Sequence, residues 1–539
     1  MINVRQIKIP VLKDSDIEIK NKLSHKLKIN ENDILSFEIK KRSIDARNKD
    51  EILYCYELDV SVKNEEKVLK RTKSNDILPA TGDEYTFKIT GQQKMKYHPI
   101  VVGSGPAGLF AAYLLAENGY KPIVLERGEK IEDRIKTVES FWETGNLNPN
   151  SNVQFGEGGA GTFSDGKLNT LVKNTKNRNY KVFETFVECG APKEIMYDNK
   201  PHIGTDILRN VVINLRNKII KLGGEFHYNS TLTNLRIENN ELVEIEINNK
   251  EKIPCENLIL AIGHSARDTF AMLYKNQIKM TPKSFAVGVR IQHSQDKINE
   301  SQYGDNFKNI LPPASYKLTY TTKKNRGVYS FCMCPGGYVV NASSEENRLA
   351  INGMSNYQRE TENANSAIVV TVTPDDFGNN PLDGLEYQRK LEEKAYTLGN
   401  GNIPIQLWKD YKNNQISTEF LSINPVFKGK YTFADLNELF SDDINEALKE
   451  GIESFKYKIK DYALDDAILA GVESRTSSPV RIERDEFGNS NIKGIFPCGE
   501  GAGYAGGITT AAMDGIKVAE MIASIYSNES IDWYFLFCI

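Results

Sequence analysis

The stretch FGEGGAGTFSDGK, residues 155–167, carries two nucleotide-binding spacings at once. Gly156 to Gly161 fits G-x-G-x-x-G, and Gly161 to Lys167 is nearly a P-loop. GSGPAG at 103–108 and GAGYAG at 501–506 fit the first spacing as well. With 39 glycines in 539 residues, about 0.2 chance matches to this weak pattern are expected. Glycines spaced this way let backbone N–H groups close on a phosphate. The chain therefore binds three nucleotides, two or one.

The 155–167 stretch fails as a P-loop. Leu168 stands where Ser or Thr binds Mg²⁺, and no hydrophobic strand leads into Gly161. It also fails as a second dinucleotide turn, because SNVQF is a poor buried strand and TFSDGK a poor helix start. At 103–108 every part is present. A strand over 99–102 feeds the turn and an Ala/Leu-rich helix leaves it. Gly103 permits the tight turn, Gly105 admits a pyrophosphate, and Gly108 lets helix and strand pack closely. The helix start offers free N–H groups and partial positive charge. Glu126 ends the next strand, 23 residues after Gly103, where an acid accepts ribose hydroxyls. GAGYAG also sits between a strand and a helix, but no second strand with a terminal acid follows it.

Other residue types suggest chemistry without fixing it. Cys332 and Cys334 in FCMCPGG are two apart, so on a strand both face one side. They read as a redox pair, a covalent relay or packed small hydrophobes; a disulfide between them would be strained. No Cys or His cluster has zinc spacing. His202 in KPHIGTD reads as an acid/base group near neutral pH or as a turn residue bonding backbone. Arg475 and Arg481 can hold an anionic substrate by forked hydrogen bonds or make surface ion pairs. Asp165 and Lys167 line a pocket or stabilise their turn.

The elements that position these residues fall into blocks. Residues 1–97 form a β-α-β-β pattern whose helix has Ile17, Ile19, Leu23 and Leu27 near helical spacing. This block holds 20 Lys and Arg against 16 Asp and Glu, an excess that suits a solvated surface or an RNA- or partner-binding face. From His98 the pattern is strand, glycine turn, helix and strand. Residues 205–222 predict a helix capped by Thr205 or Asp206, and 224–249 short strands around an Asn-Asn turn. Residues 281–470 mix strands with helices near 384–398 and 444–457. The strand–glycine–helix pattern then returns, so one α/β domain carries a long insertion.

Composition sets the outer limits. Hydrophobic residues are 40% and charged residues 26%, as in an ordinary globular protein. A net charge of −4 argues against nucleic acid across the whole chain. The first ten residues lack signal-peptide features, and no apolar run nears the ~20 residues of a membrane span. Seven scattered cysteines do not make a secreted disulfide framework. A cytoplasmic, reduced protein without a membrane partner is expected.

VVGSGPAGLFAAYLLAENGYKPIVLERG, LILAIGH and GIFPCGEGAGYAGGITTAAMDG resemble three landmarks of the two-dinucleotide-fold (glutathione-reductase-like) FAD flavoprotein superfamily. SNVQFGEGGAGTFSDGKL, KPHIGTD, FCMCPGGYVV, INGMSN and ESRTSSPVRI resemble a family of bacterial FAD-dependent dehydrogenases of largely undefined substrate. The resemblance spans roughly residues 95–525 and implies bound FAD. It implies cofactor contacts at Gly103, Ser104, Gly105, Pro106, Ala107, Gly108, Glu126 and Arg127, with Leu232 on the adenine side. It also implies contacts at Ala261 and Gly263, at Gly499 and Glu500, and at Gly506, Gly507, Ile508 and Thr509 against the flavin. The superfamily has Gly-Asp where this chain has Gly499-Glu500, which leaves the partner of Glu500 open. In the 155–167 loop, Gly158, Gly159, Ala160, Gly161 and Thr162 are expected to touch the flavin, and Ser164 to Lys167 to face substrate.

The resulting expectation is an α/β protein with an FAD-binding Rossmann-like domain, interrupted by a mixed α+β substrate or cap domain and preceded by a small α+β domain. The divisions are 1–97, 98–280, 281–470, 471–527 and a tail, 528–539. The expected activity is hydride transfer between a small substrate and flavin N5, with Cys332, Cys334 and His202 as catalytic candidates and Asp165, Lys167 and Arg475 on substrate. NAD(P)H is a possible transient partner. The alternative is a flavin-bearing RNA- or partner-binding protein that uses residues 1–97.

Overall fold

The computed structural model describes residues 1–529 apart from 73, 83, 171 and 173–175; most of the expected tail falls outside them. Strands Ile2–Pro10, Ile34–Asp45, Leu53–Val62 and Ile77–Pro79 form a four-stranded sheet with the first strand third in order. Helix Asp16–Leu27 starts where Ser15 accepts the Glu18 N–H, and buries Ile19, Leu23 and Leu27 on the sheet. Ile17 departs from the expected stripe and is 80% exposed; i and i+2 lie on different helix faces. Residues 90–93 leave this sheet and bond along the end of helix Ile508–Ile525.

The nucleotide-type domain is built on five parallel strands in the order Ile495–Pro497, Leu258–Leu260, Ile100–Val102, Ile123–Leu125, Glu225–His227. The middle strands are fully apolar because helices cover them. Helices Pro106–Glu117 and Ile508–Ile525 pack closely here. A Cβ on Gly515 would lie 2.1 Å from the Ala107 carbonyl, so only glycine permits that approach. Helix Thr205–Lys221 packs beside Pro106–Glu117. Its cap is Gly204, not Thr205 or Asp206. The Thr205 hydroxyl instead donates to the Thr162 carbonyl at 2.6 Å, and Asp206 accepts the Tyr357 N–H at 2.8 Å. Tertiary partners have taken both side chains away from capping. The antiparallel strands Leu232–Glu238 and Glu241–Ile247 turn at Asn239–Asn240, with φ of 50° and 62°.

Residues 285–473 hold a seven-stranded sheet whose centre is Asn363–Val372, Phe285–Ser294 and Ile468–Glu473. Helices Asp383–Leu398 and Asp442–Phe455 accompany it. This sheet carries its own large apolar core. The chain enters it from Met280–Pro282 and leaves to Val480–Ile482, two strands that pair with each other. This pairing is one seam between the two parts, and Val138, Phe141 and Phe163 packed on Val340, Ala342 and Met354 make another. Among the described residues, no helix is long and apolar enough to cross a membrane.

Candidate functional site

The three glycine stretches converge on one cavity of about 420 Å³. At the first turn, Gly103 has φ of 97° and donates its N–H to the Leu125 carbonyl at 2.8 Å. A Cβ there would lie 2.3 Å from the Ala261 carbonyl. Gly103, Gly105, Pro106 and Ala107 are on the wall. Gly108 is not; its lack of a Cβ serves packing, since one would lie 1.8 Å from the Gly103 carbonyl. Ser104 is fully buried, and its N–H and hydroxyl both donate to Glu126, at 2.8 and 2.7 Å. The expected cofactor contacts at Ser104 and Gly108 are therefore corrected to supporting roles.

Glu126 is on the wall, as an acceptor of ribose hydroxyls must be. Its other oxygen accepts the N–H groups of Gly128 and Gly156, each at 3.0 Å. Four protein donors thus tie the first glycine turn to the 155–167 loop through one carboxylate. Beside it, the Arg127 guanidinium lies over the Phe155 ring at 4.6 Å and donates to Asp268 and Thr269. Arg127, Leu232, Ala261 and Gly263 all line the cavity.

Arg134 shapes the 155–167 loop, and no motif or period marks it in the chain. It is fully buried on helix Ile131–Thr144. Its guanidinium donates to the carbonyls of Asn152, Val153, Gly156, Glu157 and Gly159 at 2.6–3.2 Å. Burial pushes its pKa down to about 10, which leaves it charged at neutral pH. Gly159, Ala160 and Gly161 reach the wall. Gly158 and Thr162 do not: Gly158 faces the Thr162 hydroxyl and Val212, and the Thr162 carbonyl takes Thr205. The wall contact expected of 158–162 is thus narrowed to its middle three residues. Ser164, Asp165 and Lys167 continue the wall.

At the third stretch, Glu500, Gly506, Gly507 and Ile508 line the cavity. Gly506 and Gly507 leave open space where a Cβ would stand, before the start of an 18-residue helix. Gly499 is turned away, giving its N–H to Asp514 at 2.8 Å. Thr509 is buried and donates to the Leu168 carbonyl at 2.8 Å, so it binds helix to loop instead of facing the cavity. Glu500 accepts the Ser478 N–H at 2.8 Å and meets His264 Nδ1 at 2.7 Å. His264 is on the wall, and its Nε2 is shut from solvent with no partner.

The chemistry candidates separate. Strand Gly327–Cys334 slips register between Phe331 and Cys334, so the two cysteines do not share a face in the expected way. Cys332 lines the cavity; Cys334 is fully buried behind it. Asp165 is 1% exposed and accepts Arg359 through both oxygens, at 3.0 and 2.6 Å. Burial raises its pKa, but Lys167 and Arg359 outweigh that and hold it below the usual range. His202 is not on the wall. It stacks on Tyr357 and donates Nε2–H to the Tyr357 carbonyl at 3.0 Å, one layer behind Lys167. Burial lowers its pKa, so it stays neutral and serves structure. Arg475 is corrected too: it grips buried Glu392 at 2.9 and 2.8 Å and Ser344 at 2.6 Å. Arg267 binds the same Glu392, and Arg475 also donates to Ser265 of the wall at 3.1 Å, so this buried network backs the cavity without Arg475 itself lining it. Arg481 lies over Tyr504 at 4.8 Å.

These features fit FAD. The glycine backbones of 103–105 and 159–161 leave a cradle, the helix start at Ile508 faces open space, and His264 Nε2 waits for a partner. Fold and cavity define an FAD-binding flavoprotein of the oxidoreductase fold. Residues 284–476 match the family model "FAD-dependent protein, C-terminal domain-like", residues 101–150 an NAD(P)-binding Rossmann-like domain, and residues 1–61 a domain of unknown function. The chain is 50% identical over 516 residues to an uncharacterized protein of Clostridium beijerinckii, covering 94% of this chain and 96% of that one. It belongs to one family with that protein, among the FAD-dependent flavoproteins. Similar solved structures include a flavoprotein/dehydrogenase from Cytophaga hutchinsonii (12% identity, TM-score 0.36, 81% of this chain and 80% of that one). CtdE in complex with FAD is another (11% identity, TM-score 0.34, 80% and 84%). At such scores they carry no argument about the reaction.

Proposed function

We propose that the protein is an FAD-dependent dehydrogenase acting on a small molecule. The observation that carries this is the convergence of three glycine segments on one cavity whose wall also holds Lys167, Asp165, Cys332 and Asn352. When bound, FAD supplies two-electron chemistry, here hydride exchange between substrate and flavin N5. The chain supplies position. Arg134 and Glu126 hold the glycine loops, and the helix start at Ile508 favours negative charge. Lys167 offers a proton or a charge to substrate, and the 281–470 insertion closes one side of the cavity.

The division into 1–97, 98–280 with 471–527, and 281–470 belongs to the same reading. NADH or NADPH serves as a transient electron partner. Anaerobic mixing of the purified yellow protein with NADH, NADPH and a panel of small alcohols, acids and amines tests it. Bleaching of flavin absorbance by one of these is the expected result. A protein that retains FAD yet is bleached by none, or that binds no FAD at all, overturns it.

A further inference from the structure

Residues 197–204 run between the small N-terminal sheet and the cavity as a strap bonded along both edges. One edge continues the sheet. Ile34–Asp45 is an outer strand of that sheet. There the Arg42 N–H donates to the Tyr197 carbonyl at 2.8 Å, and the Arg42 carbonyl accepts the Asn199 N–H at 2.9 Å. The other edge continues the cavity loop. The Leu168 N–H donates to the Pro201 carbonyl at 2.9 Å. The N–H groups of Ile203 and Gly204 donate to the carbonyls of Gly166 and Asp165 at 3.0 and 3.2 Å. Asn169 Nδ2 adds a bond to the Asn199 carbonyl at 3.3 Å. Asp165, Gly166, Lys167 and Asn169 all line the cavity.

The strap is pressed tightly in place. Gly166 has φ of 67°, and a Cβ on it would lie 2.9 Å from the Gly204 nitrogen. A Cβ on Gly204 would lie 2.2 Å from the Tyr357 nitrogen of the insertion. Packing this close transmits a displacement instead of absorbing it. A shift of the strap therefore moves the loop that carries Asp165 and Lys167.

Arg42 fixes the strap from the far side. Its Nε and Nη2 donate to the two oxygens of Asp198 at 2.8 and 3.1 Å. The guanidinium also lies over the rings of Tyr197 and Tyr54, at 5.2 and 5.5 Å. A partly buried, two-pronged pair of this kind sets geometry as well as charge. The sheet that carries Arg42 is itself held. Its Ile52 packs on Phe307 and Leu311 of the insertion, and Lys49 Nζ donates to the Ser301 carbonyl at 2.7 Å.

We propose that Arg42 is a positioning residue: through Asp198 and the 197–204 strap it holds Asp165 and Lys167 at the cavity wall. The small N-terminal sheet is then a fixed support of the site. This goes beyond the hydride reading and does not rest on it, since the strap holds the wall whether or not the flavin turns over.

Amide hydrogen exchange of the full-length protein, read by peptide mass spectrometry, tests it in Arg42→Ala and in Asp198→Ala. The second variant breaks the same pair without altering the N-terminal sheet. In both, peptides covering 164–170 and 197–205 should exchange roughly tenfold faster, the worth of one charge-assisted pair. Peptides over Leu53–Val62 and Ile100–Val102 should keep their wild-type rates. The visible circular dichroism of bound FAD should change in each single variant. In the double variant Arg42→Asp, Asp198→Arg, which restores the pair in reverse, exchange and dichroism should both return toward wild type. Unchanged exchange over 164–170 in both single variants overturns the proposal. So does equal acceleration over Leu53–Val62 in Asp198→Ala, or a double variant no closer to wild type than either single one. Exchange is read without any turnover, so failure here is distinct from failure of the dehydrogenase reading.

Discussion

His264 Nδ1 lies 2.7 Å from Glu500 Oε2, and this contact leaves His264 Nε2 buried on the cavity wall without a partner. Glu500 is therefore engaged with protein groups: one oxygen to Ser478 and the other to the ring. Both residues stand on the cavity wall, and the unpartnered atom of the pair is His264 Nε2. A neutral ring that donates from Nδ1 offers an acceptor at Nε2, which suits a hydroxyl.

His264→Leu should weaken FAD binding roughly 10- to 100-fold, the worth of one hydrogen bond in a buried polar site. Glu500→Asp should weaken it through loss of the ring's orientation. In the double variant the two losses should not add, because both remove one unit. Fluorescence titration of apoprotein with FAD measures this. Unchanged affinity in His264→Leu, in a protein whose wild type binds FAD, would discard the role.

Arg134 makes a prediction about folding. Its guanidinium satisfies five carbonyls of one loop, a planar fork that lysine cannot reproduce. Arg134→Met should cost about 3–5 kcal/mol, because buried carbonyls lose their donors together. Arg134→Lys should recover only part. Denaturant unfolding followed by circular dichroism reads the stability, and flavin retention reads the loop. A loss below about 1 kcal/mol in Arg134→Met would mean the loop holds itself.

The glycine turn at 103–108 was legible because local rules fix it: a buried strand, a spaced turn, a helix and a terminal acid follow one another in the chain. The return of a strand–glycine–helix pattern near 495–508 was legible for the same reason: Ile495–Pro497 joins the sheet of Ile100–Val102. The missed residues act across long separations or upon backbone. Arg134 reaches carbonyls 18–25 positions on, Arg359 meets Asp165 194 positions away, and His264 meets Glu500 236 positions away. No composition or period marks such pairs. Arg475 was misread for the same reason, since a charge in sequence does not show the buried Glu392 that claims it. Thr205 and Asp206 looked like caps because capping is local, whereas their actual partners, Thr162 and Tyr357, come from other elements.

The Asp165–Arg359 pair gives a pH dependence. The Asp165 pKa is lowered from its ordinary 3.8 in the folded protein. Its stabilisation is therefore present above the unfolded value and is lost as pH falls through the folded one. Wild type should melt above Asp165→Asn at neutral pH, and the gap should close as pH drops below about 4. Scanning calorimetry of both proteins from pH 3 to 7 checks the sign. A gap that widens in acid would show that Asp165 is not the ionised partner of Arg359.

Two glycines decide whether the 155–167 loop meets the cofactor or only stabilises its own turn. Gly159 has φ of 64°, and a Cβ on it would approach Gly105 Cα at 3.0 Å. Gly161 has ordinary backbone, and its Cβ would meet Ile508 Cγ1 at 3.1 Å, a flexible neighbour. Gly159→Val should therefore both strain the chain and block the cradle, while Gly161→Val should fold and mainly crowd the cavity. The expected result is loss of flavin in both, with a clear fall in melting temperature only for Gly159→Val. Gly158→Ala is the contrast: its φ of 84° and the Thr162 hydroxyl at 2.1 Å predict a loss of stability with little direct effect on the cavity wall. If Gly161→Val keeps the flavin affinity and absorbance spectrum of the wild type, the cofactor does not pass beside this loop, and the three glycine segments do not enclose one FAD.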